Sequence, residues 1–191
     1  MYVLEEYDNA LKTILKRGKP RPRRNGDTLS ITGMMCRYDI SKRLPLLTRR
    51  RLAFRPIVGE LLWYLSGNTN AHDLKEKYNC GVWLPWVSEE FETKNRYVNG
   101  ALGPIYGFQA VNFNGLYYGG EPQPRAYIGQ CNQISRMIKQ LREEPHRRDI
   151  MFSVYNPLQV DKMVLPPCHF AFQVLADVEN KTLDGILYMR S

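Results

Sequence analysis

Cys168 follows two prolines and precedes a histidine in VLPPCHFAFQ, residues 164–173. A thiol attacks as its thiolate, so a nucleophilic cysteine needs a fixed approach and cationic neighbours that lower its pKa. Pro166 and Pro167 stiffen the backbone ahead of the thiol, and His169 follows it directly. Arginines gather in KRGKPRPRRN (16–25), LTRRRLAFR (47–55) and PHRRD (145–149). The guanidinium fork matches phosphate oxygens, so three Arg-dominated clusters point to phosphate binding, whereas any one alone reads as a solvated face. Buried cysteine is common in cores; on residue types alone, nucleophile and filler weigh equally. Glu60 lies among Leu61, Leu62 and Trp63, an apolar setting in which an acid needs a reason. Taken alone such a residue is more often a helix-surface acid than a catalyst, Tyr106 reads also as a packing tyrosine, and Trp83 and Trp86 are more often core aromatics than cofactor platforms.

The whole chain is consistent with such a site. Lys and Arg number 27 against 19 Asp and Glu, a net charge of +8 that attracts phosphate on a nucleotide or nucleic acid. With 191 residues, 43% of them apolar and 24% charged, the chain reads as one globular domain. Cys36, Cys80, Cys131 and Cys168 form no C-x-x-C pair and the three histidines are scattered, which argues against a zinc site and for reduced thiols. Cys36, Cys80 and Cys131 are assigned to structure, His72 and His146 to the surface. No apolar run approaches the roughly 20 residues of a membrane helix, and MYVLEEYDNALK lacks the basic and apolar regions of a signal peptide. A cytoplasmic protein with no membrane contact and no metal is expected.

The elements that must position these residues follow from periodicity. Leu4, Tyr7, Leu11, Ile14 and Leu15 predict a helix over 2–17 ending at Gly18. KPRPRRNGDT reads as a loop, and LSITGMMCRYDI as a strand region broken at Gly33. A helix over 53–66 would turn Ile57, Leu61, Leu62 and Leu65 inward, with Gly67 at its end, and 71–78 is a short third helix. Residues 81–127 are rich in Gly, Pro, Trp, Tyr and Asn, a loop-rich section suited to binding residues. A helix returns over 127–142, followed by three strand-like segments, DIMFSVYNP, HFAFQVLADV and TLDGILYMRS. Helices early and strands late predict an α+β domain.

LPPCH, with RRDIMFSVYNP upstream of it, resembles the nucleophile region of the thymidylate synthase family. Further resemblances follow in order along the chain: RRNGDT (23–28) to a phosphate loop, GELLWYLSGNTN (59–70) to the helix of a catalytic glutamate, Trp83 and Trp86 to a W-x-x-W pair, LGPIYGFQ (102–109), and YMRS (188–191). The resemblance implies a thymidylate-synthase-like α+β fold, a twisted mixed β-sheet with flanking helices whose sheet face serves dimerisation. It implies reductive methylation of dUMP to dTMP with 5,10-methylenetetrahydrofolate. Cys168 would add to C6 of the pyrimidine, assisted by its neighbour His169, Glu60 would organise proton transfers, and Tyr106 would help remove the C5 proton. Arg23, Arg190 and Ser191 would hold the 5′-phosphate, joined by Arg147 and Arg148 across a homodimer. Trp83 would stack on the folate and Arg50 would meet its glutamate tail.

The chain departs from the family's wording in four places. Met189 stands where Gln usually precedes Arg-Ser, as in related deoxypyrimidine hydroxymethylases, which act on dUMP or dCMP with the same folate. Leu84-Pro85 replaces the usual acid between the tryptophans, and GFQAVNF lacks the usual Trp-Arg. The family also continues well beyond Arg-Ser, so a C-terminally incomplete domain is expected, a truncated or split product or a piece of a longer chain. A third reading is an inactive fragment that binds RNA or a partner through its arginine clusters, with binding that salt weakens steeply.

Overall fold

The first helix, α1, spans Tyr2–Arg17 with Glu5 in its first turn and Lys16 and Arg17 in its last, charges that complement the helix dipole. The computed structural model describes residues 2–22, 26–119 and 129–190; the expected site residues Arg23 and Ser191 lie outside them. The chain forms two compact units, residues 1–53 and 54–191. In the first, β1 (Lys19–Arg21) pairs antiparallel with β2 (Thr28–Ser30), Lys19 opposite Ser30. Lys19–Arg21 and Thr28, within the segment expected to be a loop, are thus paired strand residues, and the strand expected after it ends at Ser30. Arg49 donates to both carboxylate oxygens of Asp8 at 2.9 and 2.6 Å, closing this unit on α1.

The second unit opens with α2 (Phe54–Leu65) and α3 (Ala71–Tyr78). Asn70 caps α3 by accepting the backbone N–H groups of His72 and Asp73. Gly59 lets the helices meet, since a Cβ there would come within 2.6 Å of the Tyr78 Cβ. The inward face of α2 is Gly59 and Trp63, not the expected Ile57, Leu61, Leu62 and Leu65, which are 46–55% exposed. The helix is apolar nearly all round, so periodicity does not say which face packs.

The section expected to be loop-rich holds two further helices, α4 (Glu89–Asn95) and α5 (Tyr106–Asn112). Ser88 caps α4 through the Phe91 N–H, and Glu89, Glu90 and Glu92 fill its first turn. Residues 101–110 are all buried, so α5 has no polar face to reveal it. Gly103 makes the entry to α5 possible: it has φ +83°, and a Cβ there would lie 2.1 Å from the Lys162 carbonyl oxygen. Among the described residues the next helix, α6, spans Gln133–Glu143, capped by Asn132.

Three strands follow, β3 (Met151–Ser153), β4 (His169–Asp177) and β5 (Thr182–Met189), paired antiparallel in that order. The α+β class is as expected, with every strand pairing among the described residues antiparallel. Phe152 opposes Phe172 across β3–β4, and Asp177 opposes Thr182 at the β4–β5 turn. The core joins Trp63, Leu74, Leu102, Ile105, Val154 and Met163. Beneath it, Gln109 is fully buried and donates to the Pro104 carbonyl at 2.8 Å and to the Gln159 amide oxygen at 2.7 Å. No helix of the described residues is long and apolar enough to cross a membrane.

Candidate active site

Cys168 sits at the junction of the Pro-Pro turn and β4, where the pairing with β5 slips: His169 opposes Met189 but Ala171 opposes Tyr188. The extra residue, Phe170, makes a bulge, a device that re-aims the strand's side chains. Its carbonyl accepts the Val154 N–H at 2.8 Å and the Ser153 hydroxyl at 3.1 Å. Arg190 closes the turn from β5: its backbone N–H donates to the Cys168 carbonyl at 2.9 Å, and its guanidinium donates to the carbonyls of Pro167 and Pro166. The buried Pro167 and this arginine fix the backbone on which the thiol hangs. The Cys168 N–H donates to the Tyr106 hydroxyl at 2.7 Å, so the first residue of α5 meets the backbone just ahead of β4. Burial pushes the Tyr106 phenol up, against the opposing pull of the Cys168 and His169 backbone N–H groups and the Arg190 charge.

Glu60 reaches the same cluster from α2. Its Oε1 accepts the Tyr64 hydroxyl at 2.8 Å and the Trp83 indole N–H at 2.7 Å. A half-buried carboxylate is tolerated here because two donors replace water. The Tyr64 ring packs on Tyr106 with centroids 4.8 Å apart, and Trp83 meets Tyr106 edge-on at 6.1 Å. Burial, reinforced by the Glu60 carboxylate, holds the Tyr64 phenol protonated far above its ordinary range. Glu60, Tyr64, Trp83, Tyr106, Cys168 and Arg190 thus form one continuous set of contacts within the second unit.

Trp83 joins this set otherwise than expected, and Arg147 and Arg148 form no hydrogen bond with it. Trp83, expected to stack on a cofactor, is only 6% exposed and its N–H is committed to Glu60, whereas Trp86 is 37% exposed. The His169 side chain is exposed. Arg147 is engaged within its own chain, donating to Asp149 at 2.9 and 2.6 Å and to Glu144 at 3.0 Å. These partners raise its pKa, and Arg147 in turn lowers that of Asp149. Arg148 is exposed and makes no ion pair among the described residues. Arg50 is exposed in the first unit. Sequence reasoning missed Tyr64, although the four-residue spacing Glu60–Tyr64 on one helix face was visible. It also missed the bond from Trp83, which no local signal announces.

The set can hold a thiol rigidly, fix a carboxylate by two donors and set a phenol against the thiol's backbone. No group of three or more His, Cys, Asp or Glu suited to a metal ion occurs among the described residues. The family model for thymidylate synthase matches residues 5–191. A probable thymidylate synthase of Escherichia phage T5 is 36% identical over 176 residues, covering 89% of this chain and 58% of its own length. A thymidylate synthase of Malacoplasma penetrans is 32% identical over 209 residues, covering 98% of this chain and 66% of its own. The chain therefore spans less than two thirds of either relative.

Proposed function

Since the chain belongs to the thymidylate synthase family, we propose that it carries the nucleophile half of a site for reductive methylation of dUMP to dTMP. The observation that supports this most is the run of contacts from Glu60 through Tyr64 and Tyr106 to Cys168. In this reading the Cys168 thiolate adds to C6 of the pyrimidine, and the bond's electrons pass through C5 toward the base carbonyl. Glu60 receives and returns protons at the base through water, and Tyr106 assists loss of the C5 proton, with His169 beside the nucleophile. The fixed Pro-Pro turn keeps the thiol at one height below the base, where a small displacement costs rate.

Arg190 holds the nucleotide's 5′-phosphate together with Arg23 and Ser191, and Arg147 and Arg148 reach the second nucleotide of a homodimer built on the sheet face. Arg148 is the readier of that pair, because Arg147 must first give up Asp149 and Glu144. The residues around Trp83 suit a flat heterocycle, since Val82 and Trp86 leave apolar surface open. Trp83 would border the folate there, and Arg50 would meet its glutamate tail. Bound 5,10-methylenetetrahydrofolate supplies the one-carbon unit and the hydride. Hydroxymethylation of dUMP or dCMP is a second reading, motivated by Met189, which faces His169 across β4–β5.

Intact mass after incubation with 5-fluoro-dUMP and 5,10-methylenetetrahydrofolate tests the proposal. A gain equal to nucleotide plus folate is expected, and none in Cys168→Ser. An adduct that survives Cys168→Ser, or none in the unsubstituted protein, overturns it. The product separates the two chemistries: a methyl nucleotide with dihydrofolate, or a hydroxymethyl nucleotide with tetrahydrofolate.

A further inference from the structure

We propose that Tyr64 is a positioning residue that fixes which oxygen of Glu60 carries protons. The proposal deepens the function above and rests on it. Both donors to the carboxylate fall on one atom: the Tyr64 hydroxyl and the Trp83 indole N–H meet Oε1 at 2.8 and 2.7 Å. No described residue donates to Oε2. Rotation of the carboxylate about its terminal bond would exchange the two oxygens, and it would break both hydrogen bonds at once. Oε1 is therefore held as an acceptor, and proton exchange with water is left to Oε2.

Tyr64 suits this role for a second reason. It lies one helical turn after Glu60 on α2, so acid and phenol share a face. Its ring lies 4.8 Å from that of Tyr106, whose hydroxyl in turn accepts the Cys168 N–H at 2.7 Å. One side chain thus sets the carboxylate's orientation and spaces it from the residue that meets the Cys168 backbone. The phenol stays a donor throughout, because burial and the neighbouring carboxylate oppose its ionisation. Trp83 alone cannot supply this link, since it contacts Tyr106 only edge-on at 6.1 Å.

The three tryptophans make the test direct. Trp63 is fully buried with its indole N–H unpartnered among the described residues, Trp83 donates to Glu60, and Trp86 is partly exposed. Their ¹⁵N indole resonances, assigned by single Trp→Phe replacements, report on three different settings in the free protein. Tyr64→Phe keeps the ring and removes the hydroxyl. The expected result is a shifted Trp83 resonance with about tenfold faster solvent exchange, the other two unmoved, because the shared carboxylate is released. Adduct formation with 5-fluoro-dUMP and 5,10-methylenetetrahydrofolate should slow about tenfold at unchanged affinity for dUMP.

A Trp83 resonance unmoved by Tyr64→Phe, yet moved by Glu60→Gln, overturns the proposal. So does a shifted resonance with adduct formation at the original rate. Were the unsubstituted protein to form no adduct, the proposed function would fall. The indole shift, read on the free protein, would then decide by itself whether Tyr64 holds Glu60.

Discussion

The hydroxyl of Tyr106 accepts the backbone N–H of Cys168 at 2.7 Å across 62 residues of chain. It joins the first turn of a buried helix to the residue just before a strand, and so ties α5 to Cys168. Tyr106→Phe strands that N–H in a half-buried setting, with an expected stability loss of about 1–3 kcal/mol. Urea denaturation of the variant checks this, alongside the alkylation rate of Cys168 followed by peptide mass. Unchanged stability and an unchanged alkylation rate would mean that the bond holds nothing in place.

Gln109 is fully buried on α5. It holds Pro104 and Gln159 through its amide nitrogen, accepts from Asn156 at 3.3 Å, and its backbone carbonyl accepts from Gln133 at 2.8 Å. Gln109→Leu keeps the volume and leaves the buried Pro104 carbonyl unpaired, at about 1–3 kcal/mol, while Asn156 and Gln159 keep their bond to each other at 3.2 Å. The expected outcome is a folded variant, by circular dichroism, that is about 1–3 kcal/mol less stable to urea. A loss of stability below about 1 kcal/mol would show that water replaces the amide.

Stability should fall in acid, in part through Asp73. Its pKa is lowered chiefly by the Asn68 amide, which donates at 2.6 Å, and then by Lys77 at 3.2 Å. A folded-state pKa below the unfolded one, near 3.9, gives stability that is present above the unfolded value and lost as pH falls through the folded one. Asp73→Asn should therefore flatten the acid limb of a stability profile below about pH 4 while changing little at pH 7 beyond a constant offset. The limb should resist added salt, because the leading contribution is a hydrogen bond to a neutral amide. A profile of the same slope in the variant would remove Asp73 from the account.

At the alkaline end the sign is opposite. Burial pushes Tyr117 up to about 12, opposed by its bond to Thr69 at 2.7 Å, and it raises Tyr97 and Tyr64 further. Unfolding lets these phenols ionise near 10, so the stability they carry is complete below that value and is lost as pH rises toward their folded values. Absorbance at 295 nm should show the exposed tyrosines titrating first, then a cooperative step that coincides with loss of ellipticity. Smooth titration of all twelve tyrosines around pH 10 with the fold intact would contradict the burial.

The open face of α2 carries Ile57, Leu61, Leu62 and Leu65, each about half exposed. A contiguous apolar stripe of this kind binds hydrophobic dyes and drives association. The expected behaviour is dye fluorescence and concentration-dependent sedimentation, both reduced in Leu61→Lys with little change in melting temperature. A monodisperse protein without dye binding would show that the stripe is not open in solution.

Much of this protein is legible in its amino-acid sequence. The limits of α1 and α3 and the existence of β3, β4 and β5 rest on short-range signals, caps, turn residues and a contrast between faces, whereas the motifs about Glu60, Tyr106 and Cys168 are read from resemblance to the family. Where that contrast is missing, the sequence is silent. α5 is buried on nearly every side and reads as no helix at all, while α2 is apolar nearly all round and reads with the wrong face inward. The sequence by itself thus determined the candidate site residues and most of the local elements that carry them. Tertiary structure decided their partners: Trp83 with Glu60 from 23 residues away, Tyr106 with Cys168 from 62, and Arg147 with Glu144 and Asp149 in its own chain. Hydrogen bonds and ion pairs depend on distances of a few ångströms between side chains, and only packing of the whole unit fixes distances between residues so far apart in sequence.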